Sequence, residues 1–576
     1  QWYGRQSVWG GAEDWGYRIG YGHRGGSDYE TGDDFELPSS YKSRDWNVSL
    51  GADLSADSSV EFTYLRLDQT DVEFPGLVFD INFLVTDAYQ VTYVLRDQPY
   101  FDQLVVEGWY NRTRFEGDTS RSGKNRQIPV LRTLFDLGPD QFLTTDVDAS
   151  SAGYRLAMSW GDGPCCPVLT VGTDLIYLKQ ELNDIVPART VPLPFPPFGF
   201  DLPDQNFPIP ESYSADVGVF VEHVLPASDR LTITSGARVD FVSTSAVDET
   251  AGLGLLDGFP PVLVPTPLSE LKQAGLDQHF TLWAIYGTAE FALNDCWTIL
   301  AGAGHAQRPP TMTELYAAGP FIGSLNPGLT FVQGDPELDP ERRTQIDIGA
   351  RANYDRFRGS AHAFYAWVRD YITFDDVGEF KELFPPFEPG QDLQDVAFTN
   401  TDLATLAGFE LAGEVDLNCW LTGFALMSYI EGRDRSREEP SRIAAIERER
   451  ILGISDAPRS IVAGSDHEPL PLIPPLEARL GLRLHEPCPL PRWAVELEAR
   501  IVDDQDRVAR SLFEQQTPGF TVWNLRSYWQ ARENLLVWAG VENFTDKFYR
   551  EHLDFRSGRG VFRPGVNVYF GSEVVY

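Results

Sequence analysis

TQIDIGARANY, residues 344–354, puts Ile346, Ile348, Ala350, Ala352 and Tyr354 on one side and Gln345, Asp347, Arg351 and Asn353 on the other. A period of two is the mark of an extended strand with one apolar and one polar face. The pattern recurs. LTITSGARVDF sets Leu231, Ile233, Ala237, Val239 and Phe241 against Thr232, Thr234, Arg238 and Asp240; LEARLGLRL sets Leu476, Leu480, Leu482 and Leu484 against Glu477, Arg479 and Arg483. WAVELEARI sets Trp493, Val495, Leu497, Ala499 and Ile501 against Glu496, Glu498 and Arg500. A soluble sheet with one dry face alternates too, but its strands run to about 5–6 residues. Many strands here reach about ten, the length a tilted strand needs to cross a membrane.

Connection lengths decide between these readings. AEDW (12–15), SADSS (55–59), RDQPYF (96–101), GDGPCCP (161–167), PASDR (226–230), LNDC (293–296), YDRF (354–357), LNCW (417–420), HEPCPLPR (485–492) and ARENL (531–535) are short. Between them lie long connections at 24–44, 70–86, 116–149, 183–212, 242–277, 308–340, 375–396, 431–473 and 546–559. Sorting loops by parity is what a membrane barrel does, with short periplasmic turns and long extracellular loops. The expected fold is therefore all-β, a transmembrane antiparallel β-barrel over residues 1–576. About 21 strands can be counted, ending in GVFRPGVNVYFGSEVVY, and such barrels close with an even number. The first strand leads into a short turn and so runs inward, which predicts a 22-strand barrel with one outward strand lying upstream. Trp9, Trp46, Trp523, Trp529, Trp538 and Phe544 are expected in aromatic girdles.

Composition narrows the function. The 576 residues carry Lys+Arg 47 against Asp+Glu 85, a net charge of −38, which disfavours nucleic acid as a partner. With 42% hydrophobic residues the chain is not disordered. No run of 18 apolar residues occurs, so a transmembrane helix is excluded, and the start QWYGRQSVWGG shows no signal peptide, as a mature or truncated chain would not. No G-x-S-x-G, P-loop or metal-ligand spacing is present, so neither an enzyme, a cofactor nor a metal site is expected.

VWAGVENFTDKFYREHLDF with GRGVFRPGVNVYF near the C-terminus, and GHAQRPPTMTELYAAGPF with GDPELDPERRTQIDIGAR in the middle, resemble segments of TonB-dependent receptors. VWAGVENFTDKFYREHLDF with GRGVFRPGVNVYF is similar to that family's closing pattern through Val541, Asn543, Phe544, Asp546, Lys547, Tyr549, His552, Pro564 and Gly565. GHAQRPPTMTELYAAGPF with GDPELDPERRTQIDIGAR is similar to its middle motif through Arg308, Pro310, Glu314, Leu315, Leu338, Pro340 and Glu341. VEFPGLVFD near 75 and FYAWVRDYITF at 364–374 also look familial. The chain runs six residues past Phe570, the usual terminal aromatic, to Tyr576. The resemblance implies an outer-membrane import receptor that takes a ferric siderophore or other metal complex, with TonB, outer-membrane lipid and a lumen-filling plug domain as partners. Neither the plug nor the TonB-read motif is found in the sequence, so the plug is expected upstream or on another chain.

Ligand contacts are expected from His305, Arg308, Glu314, Tyr316 and His467, near long outer loops or the lumen; for the histidines a solvated or lumen-lining place is the plainer reading. Outer-loop stretches 191–211 and 259–268 are rich in Pro and aromatics and suit stiff apolar walls, and 441–454 reads as a short amphipathic helix. Loop carboxylates favour neutral or cationic ligands, although Arg433, Arg435 and Arg437 oppose this. Five cysteines (165, 166, 296, 419, 488) fall in short turns facing an oxidising compartment, where Cys419 and Cys488 could pair. Two other classes remain open. One is an assembly barrel whose lumen another chain fills; a plug and TonB motif directly upstream in the gene would remove it. The other is a soluble β-rich carbohydrate-binding protein or enzyme, which predicts extraction without detergent.

Overall fold

A computed structural model describes all residues except 78, 129–141, 162–165, 186–188, 193–198, 203–204, 248–274, 327, 377–393, 436–467, 488–489, 513 and 557. Its main sheet has 23 strands. Two of them, Ala318–Leu325 and Gly328–Gln333, form a loop hairpin, and the other 21 make the wall. Wall strands range from 8 residues (Asn567–Val574) to 25 (Gln394–Asn418), and each pairs antiparallel with its sequence neighbour. The four alternating stretches quoted above all fall in wall strands: Leu231–Ala246, Glu341–Asn353, Glu477–His485 and Trp493–Val502. Trp2–Ala12 pairs with Trp15–Gly26, and Asn567–Val574 with Leu535–Glu542; among the described residues no pairing joins the first strand to the last.

Register identifies the faces. Ile285 stands opposite His305, and Ile346 and Ile348 stand opposite Ala303 and Ala301, giving one apolar face on which Trp283, Ile285, Ile346 and Ile348 are exposed. That face is the outer one; the other carries Glu290, Asp347 and Arg351 and lines the lumen. On the outer face, towards the long loops, aromatics stack across strands: Tyr64 on Tyr89 at 4.9 Å, Tyr89 on Tyr110 at 6.4 Å, Tyr21 on Trp46 at 4.4 Å. One step further out the surface becomes ionic, with Arg66–Asp87 at 3.0 Å and Arg112–Asp148 at 2.7 Å. At the opposite rim the Trp297 indole donates to the Tyr354 hydroxyl at 2.7 Å. These are the two girdles. Trp46, Trp523 and Trp529 lie on the outer face, but Trp9 and Trp538, paired with Arg18 and Tyr528, have the lumen parity and stand apart from the girdles.

Most of the dry core lies in the long loops and in the strand ends beside them. The largest fully buried side chains include Tyr316, Lys124, Leu37, Leu315, Leu325, Leu470 and Leu512, all in the long loops. Met312, Leu315, Tyr316, Leu338 and Ile372 form one cluster, against which Phe280 and Phe398 pack. Ala317, Leu325, Val332, Val396, Ala509 and Leu512 form a second. Each buried Leu contributes roughly 1.5–3 kcal/mol, so the loops hold themselves as a cap over the long-loop mouth.

Candidate functional site

Arg308 closes the strand Trp297–Arg308 and faces Glu341, the first residue of the next wall strand. Its Nε donates to Glu341 at 2.8 Å, while Nη1 and Nη2 donate to the two oxygens of Glu314 at 2.8 and 3.0 Å. Glu314 lies in the short helix Met312–Tyr316, begun by a capping box: its backbone N–H donates to Thr311 Oγ1 (3.2 Å) and its carboxylate accepts from the Thr311 N–H (2.6 Å). The free oxygen of Glu341 accepts from the Ile372 N–H at 2.9 Å. One guanidinium between two carboxylates thus fixes the start of loop 309–340 to the wall. Tyr316, 1% exposed, donates to the Leu276 carbonyl at 2.7 Å and meets the Thr244 hydroxyl at 3.0 Å; burial pushes its pKa up to about 12.

The structure therefore brings Arg308, Glu314 and Tyr316 together, in contacts that anchor the loop. His305 is set apart from them. It stacks on Trp283 at 4.4 Å, donates or accepts at Thr344 Oγ1 (2.9 Å), and shares the outer face with Ile285. His467, the segments 259–268 and 441–454, Arg437, Cys165 and Cys488 lie outside the described residues, as does part of 191–211. Arg433 pairs with Glu431, and Arg435 Nε donates to Thr405 at 2.9 Å. Among the described residues Cys166, Cys296 and Cys419 form no disulfide, and no three His, Cys, Asp or Glu are grouped to hold a metal.

The C-terminal motif shapes the last long loop, 543–566. Asn543, at φ 48°, donates through Nδ2 to the Lys547 and Pro564 carbonyls (2.9 and 3.1 Å) and accepts the Lys547 N–H (2.9 Å). Asp546 accepts the Val566 N–H at 3.1 Å, and a Cβ on Gly565 would stand 2.5 Å from its Oδ1, so a side chain there must displace that carboxylate. Tyr549 packs on Phe520 at 4.3 Å. His552, almost wholly buried, meets Glu514 Oε1 at 3.1 Å and Thr517 Oγ1 at 2.9 Å. Burial also draws the Arg556 pKa down to about 10. Phe544 and Tyr576 are exposed.

Two features have no local signal in the sequence. Lys124 and Asp80 form a buried ion pair at 2.9 Å, with side chains 1% and 0% exposed; burial lowers the Lys124 pKa. In the lumen, charged side chains pair over intervening glycines. Arg5 reaches Asp45 (3.0 Å) across Gly22, and Arg238 reaches Asp174 (2.7 Å) across Gly218; a Cβ on either glycine would overlap the pair. Elsewhere Arg483 lies between Glu414 (3.1 Å) and Glu496 (3.0 Å), and Arg500 between Glu477 (2.7 Å) and Glu551 (2.6 Å). Towards the short-turn rim a lumen recess of about 320 Å³ is lined by residues including Thr234, Thr288, Glu290, Gly302, Asp347 and His362. Such a wall suits a water-borne polar solute.

Long tilted strands, an apolar outer band between aromatic girdles and a charged interior define an outer-membrane β-barrel of the receptor type. The family described as TonB dependent receptor-like, beta-barrel, matches residues 2–544, and the chain belongs to that family of outer-membrane receptors and transporters. Among solved structures it is similar to "Copper transporter OprC" (21% identity, TM-score 0.73, 99% of this chain and 77% of that one). It is also similar to the FrpB iron transporter of Neisseria meningitidis, F3-3 variant (13%, TM-score 0.65, 99% and 79%), and to the siderophore receptor PirA of Pseudomonas aeruginosa (16%, TM-score 0.56, 99% and 76%). No curated protein matches the sequence.

Proposed function

We propose that this receptor imports a metal complex, a ferric siderophore first among the candidates, and that TonB energises its release inward. The observation that carries this reading is the family membership over residues 2–544, joined to a charged lumen wall. The names of the similar structures, a copper transporter, an iron transporter and a siderophore receptor, support the substrate class. Deleting the gene should slow growth under iron limitation and abolish uptake of a panel of radiolabelled ferric chelates. Unchanged growth together with unchanged uptake removes metal chelates as the cargo.

We also infer that a plug fills the lumen and that one further strand completes the wall. Trp2–Ala12 and Asn567–Val574 both run from the long-loop side towards the short-turn rim, so in an antiparallel wall only an outward-running strand fits between them. The reading frame upstream of Gln1 tests this. The expected finding is a plug domain followed by about ten alternating residues; a frame that encodes neither would favour a lumen filled by another chain.

A further inference from the structure

The ionic belt beyond the outer aromatics changes character around the ring. On the strands from Ser58–Val72 to Gln205–Ser228, cations meet acids: Arg66 pairs with Asp87 (3.0 Å), Arg112 with Asp148 (2.7 Å) and Lys179 with Glu211 (2.5 Å). Further round, on Glu341–Asn353, Phe357–Asp376, Gln394–Asn418 and Leu421–Asp434, it does not balance. Register sets rows of outer parity there. Ile346, Tyr365, Ala407 and Glu431 form the lowest row, and Thr344, Trp367, Thr405 and Arg433 the next. Outermost are Arg342, Arg369 and Leu403, whose carbonyl accepts the Arg435 N–H at 2.8 Å. Arg507, from loop 503–519, joins them by lying over the ring of Tyr429 at 4.6 Å.

Only part of this charge is answered. Arg342 Nε donates to Asp370 at 2.6 Å, and Arg433 pairs with Glu431. Arg435 donates to Thr405 and Arg507 to the Tyr429 hydroxyl, and among the described residues neither they nor Arg369 pair with a carboxylate. Five guanidiniums thus stand against two carboxylates on a chain whose net charge is −38. Arg342 and Arg369 even face each other directly, which repels unless an anion lies between. Beneath them come Trp367 and Tyr365, whose rings lie 4.6 Å apart, and then the exposed Ile346 and Ile348. Apolar surface, aromatic rings and cations in that order match the tails, interface and phosphate of a lipid, and a guanidinium holds two phosphate oxygens at once. We propose that Arg342, Arg369, Arg433, Arg435 and Arg507 form a docking site for the phosphate headgroup of an anionic lipid in the outer leaflet. The site lies on the membrane side of the wall, apart from the lumen and its cargo.

The test uses the full chain in a non-ionic detergent, titrated with short-chain phosphatidic acid or phosphatidylcholine and read by native mass spectrometry. The parent should bind phosphatidic acid about tenfold more tightly or better, the worth of one or two charge-assisted contacts. Arg369→Gln with Arg435→Gln should bring the two lipids within about twofold of each other, whereas Arg112→Gln, on the paired side of the belt, should keep the parent's preference. Equal binding of both lipids by the parent, or a preference that survives the double substitution, overturns the proposal. Displacement of phosphatidic acid by inorganic phosphate at constant ionic strength also overturns it, because the site would then serve the free anion. Heat-modifiable gel migration checks folding. Should the double variant not fold, Arg369→Gln alone, at an exposed side chain with no carboxylate partner, should lower the preference about threefold, and an unchanged preference counts against the site.

Discussion

Replacing Lys124 by Met should loosen the cap where it joins the start of the wall strand Asp80–Gln98. Lys124 Nζ donates to Asp80 Oδ1 at 2.9 Å and to the Phe74 carbonyl at 2.7 Å, and Asp80 Oδ1 also accepts the Phe74 N–H at 3.1 Å. The substitution leaves a buried carboxylate with one backbone donor and no counter-charge. Breaking a buried pair from one side costs about 3–5 kcal/mol, roughly a 10²–10⁴-fold shift in the local opening equilibrium. The double variant Lys124→Met, Asp80→Leu removes both charges and should lose less than the two single losses added, by about 2 kcal/mol or more. Native-state hydrogen exchange of the amides in 73–80 and 118–128 reads this directly, with wall amides as the internal reference. A Lys124→Met shift below about threefold would refute the claim that this pair is desolvated. Additive single and double effects would refute the coupling.

Glu314→Ala removes both the capping box and the two bonds to Arg308, and should open loop 309–340 by about 2–4 kcal/mol. Limited proteolysis there should rise while the barrel's gel migration stays unchanged. The Tyr316 pKa is raised, so the folded cap holds that proton after the unfolded chain has lost it; the associated stability is complete below pH 10 and falls as pH rises towards about 12. The difference between parent and Tyr316→Phe in exchange of residues 312–317 should therefore be constant below pH 10 and change only across that window. Gly218→Ala should displace Arg238 from Asp174 and cost about 1–3 kcal/mol. Gly51→Ala, whose Cβ would approach nothing nearer than 4.0 Å, should be close to neutral in the same thermal melt.

The wall was legible because its code is local. Alternation is visible within ten residues and loop parity in the order of the connections, and together they yield the 21 strands, the turns and the two faces. The girdle assignments of Trp9 and Trp538 went astray because position near a strand end was weighed and parity was not. The same parity, Ala301, Ala303 and His305 in step, carries His305 to the outer face. Arg308 and Glu314 stood out by motif, but their mutual bond needs a helix turn that the sequence signals only through Thr311 and Glu314. Lys124–Asp80, Arg238–Asp174 and Asn326–His552 join residues 44 to 226 positions apart. Such partners are set by register and loop crossing, which no local pattern encodes.

The apolar packing is concentrated in the loops and the strand ends beneath them, and the rest of the wall is held by ladder hydrogen bonds, so two transitions rather than one are expected. Denaturation should be biphasic. The cap has a protein-like heat capacity and melts as a small soluble domain does, while the wall persists until detergent or lipid is disturbed. A single melting temperature would then describe neither unit. Calorimetry in detergent should resolve an early transition that vanishes in loop variants and a late one that does not move.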